Sequence, residues 1–70
     1  MITVEVVFDN AVEIHNVPSM PDLDWSSNNI LALQHVYDCL RERVLHDGLD
    51  LSGLRSMCAR NPEWKPEWND

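Results

Sequence analysis

Two β-branched runs at the start of the chain restrict its fold more than any other feature. ITVEVVF (2–8) and VEIHNV (12–17) alternate apolar and polar residues, and only Asp9, Asn10 and Ala11 separate them. That pattern predicts an antiparallel hairpin. A two-stranded ribbon is marginal alone in water, so another part of the chain must cover its apolar side. Register decides which side that is. A two-residue loop at 9–10 would set Val6 against Glu13 and Val4 against His15, mixing apolar with polar. A three-residue loop pairs Phe8 with Val12 and Val6 with Ile14, making one face uniformly apolar, and this register is the expected one.

The cover comes from the middle of the chain. PSMPDLDWSSNN (18–29) reads as a loop in which Asp24, Ser26, Ser27 and Asn28 compete as helix N-caps. From about Ser27 to His46 the pattern is helical. Ile30, Leu33, Tyr37, Leu40 and Val44 follow i, i+3, i+7, i+10, i+14, one apolar stripe. Arg41, Arg43 and His46 suit the negative end of the helix dipole, and Gly48 supplies a left-handed stop. The stripe is expected to lie on Val4, Val6, Phe8, Val12 and Ile14. Ala32, Val36 and Cys39 mark a second, weaker flank.

GLDLSG (48–53) predicts an extended bridge or a very short strand. A second short helix is expected from Gly53 to Arg60, capped by Ser52, ended by Asn61-Pro62, and burying Leu54, Met57 and Cys58. The expected fold is therefore α+β, with a hairpin packed on one long helix and followed by a short helix (ββαα). Residues 1–61 form a single domain. PEWKPEWND (62–70) is a tail whose Trp64 and Trp68 either fold back onto the small core or are displayed for a partner. A chain of 70 residues buries only about 60% of its unfolded surface, so dimerisation, for instance through the free hairpin edge, would be a natural support.

Charge narrows the choice of partner. Net charge is −7, and Glu5, Asp9, Glu13, Asp22, Asp24 and Asp38 fall in the first forty residues with no Lys or Arg among them. Such a field repels nucleic-acid phosphates and attracts basic surfaces. Direct nucleic-acid binding is therefore not expected, whereas binding to a basic protein is. With 44% hydrophobic and 24% charged residues the chain is not compositionally disordered. No apolar run approaches the roughly 20 residues of a membrane span. MITVEVVF lacks the basic start of a secretion signal, so a cytoplasmic protein with Cys39 and Cys58 reduced is expected.

Catalytic patterns are sparse. His35, Cys39, Glu42 and His46 share one helical face, and imidazole, thiolate and carboxylate are all zinc ligands. One helix offers a single ion only about two of them, so no metal is expected; His35, Cys39 and His46 are the metal candidates to check. His35 beside Cys39 lacks an orienting third group or an oxyanion nest. With only Gly48 and Gly53 there is no phosphate-cradling loop, and neither a cofactor nor an enzyme is expected. Trp25 in PDLDWSS combines acids with an aromatic anchor.

The functional expectation is a small acidic interaction protein that docks on a basic, nucleic-acid-binding protein and inhibits or modulates it. Its contact residues would be Glu5, Asp9, Glu13, Asp22, Asp24, Trp25, Asp38 and Trp68. In size, charge and lack of catalytic motifs, though not in any specific residue, the chain resembles phage-encoded inhibitors of bacterial defence such as anti-CRISPR proteins. That resemblance implies a nucleic-acid mimic acting in a bacterial host. The alternatives are a homodimeric structural or accessory subunit, and a zinc-dependent regulator.

Overall fold

The computed structural model describes residues 1–62; the expectations for Trp64 and Trp68 lie outside the described residues. The chain is α+β. Strand β1 (Ile2–Phe8) and β2 (Val12–Val17) are followed by helix α1 (Trp25–Asp47), a 3-10 turn (Leu51–Gly53) and strand β3 (Leu54–Arg60). The sheet order is β2-β1-β3, antiparallel throughout, with α1 across one face.

The second helix expected at Gly53–Arg60 is instead strand β3. Locally, LRSMCAR suits either state. The decision comes from β1, whose second edge would otherwise carry unpaired backbone donors and acceptors beside the core. β3 pairs with it from Thr3–Arg60 to Phe8–Leu54, with a bulge at Val7/Phe8. Met57 and Ala59 turn towards the helix, while Cys58 is exposed. The arrangement is therefore ββαβ rather than ββαα, and the hairpin edge proposed for dimerisation is closed on the β1 side.

The hairpin register also differs from the expected one. Val6 pairs with Glu13 and Val4 with His15, and Phe8 N–H donates to Ala11 O (2.8 Å) across a two-residue loop. Directly opposed residues share a face, so Glu13 and His15 lie on the helix side and Val12 and Ile14 on the bare side. The mixed face is tolerated because Arg43 of α1 reaches Glu13 with two hydrogen bonds, 2.7 and 3.1 Å long. A fixed cation above the sheet thus outweighs the apolar matching that sequence alone favours.

Helix α1 begins two residues earlier than expected. Asp24 is its N-cap, its carboxylate accepting from Ser27 N–H at 2.8 Å. The helix stops at Gly48, whose φ of 70° is the left-handed conformation expected there. Leu49 N–H then returns to Arg43 O (3.2 Å), and Leu49 packs on the core.

The buried face of α1 is not the expected stripe. Asn28, Ala32, Val36 and Leu40 are its buried residues, whereas Ile30 and Tyr37 are 54% and 52% exposed and Val44 is also exposed. Of the expected stripe only Leu40 is fully buried, with Leu33 partly so. Small side chains at 32 and 36 let the helix approach Ile2, Val4 and Val6 closely, and close packing rewards that approach.

Asn28 fixes how the helix begins. It is 2% exposed; its Oδ1 accepts from Met20 N–H (2.7 Å), and its Nδ2 faces the carbonyls of Met20, Leu23 and Asp24 at 3.1–3.2 Å. A flipped amide would set oxygen against three carbonyls, so the chemistry allows one orientation. At the same end of the sheet but on its opposite edge, buried Asn61 donates from Nδ2 to Asn29 Oδ1 (2.9 Å), tying the end of β3 to the same helix turn.

Candidate protein-interaction site

The acidic residues singled out by sequence do not converge on one patch. Asp9 and Glu13 lie at the hairpin end, where with Leu49, Asp50 and Ser52 they rim a shallow hollow. Asp22, Asp24 and Trp25 lie at the start of α1, Glu5 is central in β1, and Asp38 sits on the exposed helix surface. Trp68 is outside the described residues.

Several of these carboxylates have structural duties. Glu13 is held by Arg43 and also meets His15 Nε2 at 3.1 Å. The Arg43 hydrogen bonds hold the Glu13 carboxyl below the ordinary carboxylate range, with His15 adding to the effect and partial burial opposing it. Asp9 binds Arg55 Nε, and its own N–H donates to Gly53 O (2.9 Å), locking the hairpin turn to the 3-10 turn. Glu5 lies 3.7 Å from Arg60. Asp24 and Asp50 accept backbone hydrogen bonds from Ser27 and Ser52, which lower both pKa values.

The Glu13 site gives a pH prediction. A depressed folded-state pKa contributes stability above the unfolded value, and that contribution is lost as pH falls through the folded value. At neutral pH Glu13→Gln is expected to be less stable than wild type, by roughly 1 kcal/mol for a partly exposed pair. The gap should close as pH drops below the carboxylate range. Denaturant titrations of both proteins at several pH values would check this; a gap constant with pH would refute it.

The metal candidates separate. Cys39 Sγ is 3.9 Å from His35 Nε2, but His46 Nε2 pairs one turn away with Glu42 at 2.9 Å. Among the described residues no three His, Cys, Asp or Glu side chains gather around one point. No helix among them is long and apolar enough to cross a membrane.

Sequence reasoning missed two surfaces. One is the bare face of the sheet, where Val12 and Ile14 stand exposed because of the two-residue hairpin loop. The other is a groove beside β3 lined by Leu33, Gln34, Tyr37, Asp38 and Met57. The signal for the second is the apolar stripe itself, whose Tyr37 lines this groove instead of covering the hairpin. Searches against family models, curated proteins and solved structures find no match for this chain.

Proposed function

We propose that this chain is a small acidic interaction protein, not an enzyme, that binds a basic protein surface of the kind that holds nucleic acid and blocks or modulates it. The observation that carries this reading is that the acidity is not consumed inside the fold. Arg43, Arg55 and Arg60 are engaged by Glu13, Asp9 and Glu5, whereas Asp22, Asp38 and Asp47 are exposed and make no salt bridge among the described residues. With twelve acidic against five basic residues, the outward field stays negative. Such a field speeds encounter with cationic surfaces and fixes orientation on them. Trp25, exposed beside Asp22 and Asp24, supplies an aromatic anchor. The carboxylates would stand where phosphates otherwise lie, as in phage-encoded inhibitors of the anti-CRISPR type.

The test is a pull-down from nuclease-treated bacterial lysate at low and high salt. Wild type is compared with a protein carrying Asp22→Lys and Asp47→Lys, which moves net charge from −7 to −3 at two positive units per substitution. Asp24 is spared because it caps α1. Wild type should retain a nucleic-acid-binding protein at low salt and release it to competing nucleic acid. The variant should recover at least roughly tenfold less while keeping its fold. Recovery indifferent to salt and to charge reversal would overturn the reading.

A further inference from the structure

Beyond that reading, we infer that a second copy of this chain fills the groove between α1 and the free edge of β3. The two copies join by antiparallel β3–β3 pairing, and their helices meet about Tyr37.

The apolar stripe of α1 supports this first. Ile30, Tyr37 and Val44 recur at heptad spacing with Leu33 and Leu40 between them, the a/d pattern of a helix that packs on another helix. Within one chain that pattern is largely unused: Leu40 is buried, Leu33 is partly buried, and Ile30, Tyr37 and Val44 face outward. The stripe is also self-complementary. An antiparallel partner centred on Tyr37 brings Ile30 of each copy against Val44 of the other, as a two-fold interface requires.

β3 supplies the second element. It is a terminal strand of the sheet, so among the described residues its outer edge is unpaired. Met57 is its central residue, and Met57 lines the same groove as Tyr37, the centre of the stripe. One two-fold axis can therefore serve both layers. Spacing agrees. Strands lie about 4.8 Å apart, and α1 packs mainly on β1 and β3, which places it about 5 Å from an axis running just outside β3. Two such helices stand about 10 Å apart, a normal helix-packing distance.

Area and charge fit as well. A seven-residue strand is about 23 Å long, and a face of that length through both sheet and helix layers buries on the order of 600 Å² per copy. The total, about 1,200 Å², reaches the lower bound of specific stable interfaces. β3 contains no carboxylate, and Ile30, Leu33, Tyr37 and Val44 are uncharged, so the net charge of −7 is carried away from the seam, with Asp38 in the groove as the exception.

Sedimentation velocity and light scattering on the full chain, from micromolar to near-millimolar, test the proposal. Wild type should reach twice the 8.1 kDa chain mass. Tyr37→Glu, at an exposed position, should keep its helical circular dichroism and raise the dissociation constant at least roughly a hundredfold, since it desolvates a carboxylate at the centre of the seam. In a Cys39→Ser, Cys58→Ser background, Met57→Cys should oxidise to a disulfide-linked dimer, because opposed residues across an antiparallel pair lie within disulfide range. Val12→Cys in the same background should not. A wild-type monomer at every concentration overturns the proposal, as does a dimer that tolerates Tyr37→Glu. A chain that dimerises only when shortened after Pro62 overturns it too, because the groove then belongs to the chain's own end.

Discussion

Asn28→Ala is expected to lower the free energy of unfolding by roughly 2–3 kcal/mol, although the residue removed is polar and sits in a helix where alanine has the higher intrinsic propensity. The loss arises because Met20 N–H and Leu23 C=O surrender their side-chain partner. Met20 O still accepts from Leu23 N–H, and Asp24 O from Asn28 N–H, so the cost is less than four bonds' worth. Asn28→Asp is the informative companion. Its carboxylate would retain the Met20 N–H bond but oppose three carbonyls, which raises the folded-state pKa of the new acid. That variant should be least stable at neutral pH and recover as pH falls and the acid takes up a proton. Denaturant titration of the three proteins at fixed concentration and at two pH values checks both statements. An Asn28→Ala protein as stable as wild type would remove the residue's assigned role.

The second large effect is expected at Leu40. Among the described residues the fully buried apolar core consists of Ile2, Val4, Val6, Ala32, Val36 and Leu40, and one of these is an alanine. Leu40→Ala would leave a cavity costing about 2–5 kcal/mol. A domain of this length holds on the order of 3–10 kcal/mol in total, so the variant should be at or near the point of unfolding at room temperature. Leu45→Ala, at a position 72% exposed on the same helix, should change stability by less than about 0.5 kcal/mol. Thermal and urea melts followed by circular dichroism separate the two. Near-equal losses would mean that the buried face of α1 is not the one described.

These two residues also mark where the sequence was readable. Leu40 belongs to the apolar repeat and is the one member that also falls on the face of Ala32 and Val36, so its apolar character was legible but the face it buries was not. Asn28 reads as one of four interchangeable caps, and nothing local distinguishes a side chain that caps its own helix from one that anchors the preceding loop. Arg43 suits the helix dipole in sequence; its contact with Glu13, thirty positions away, depends on the helix crossing the sheet. The acidic candidates were all legible as residues. Their division into structural partners, such as Glu13 and Asp24, and exposed charges, such as Asp22 and Asp38, was not.

By itself the sequence determined the hairpin strands, the long helix with its glycine stop, and the net acidity, because each rests on local backbone preference or on a sum of charges. Tertiary structure alone decided three things. LRSMCAR became a strand because the second edge of β1 needed partners for its backbone groups. The hairpin took the two-residue loop because Arg43 could neutralise Glu13 beneath the helix. The helix turned Ala32 and Val36 inward, leaving Ile30, Tyr37 and Val44 outside, because close approach to β1 favours small residues. In each case the deciding partner is distant in the chain, and local periodicity carries no record of it.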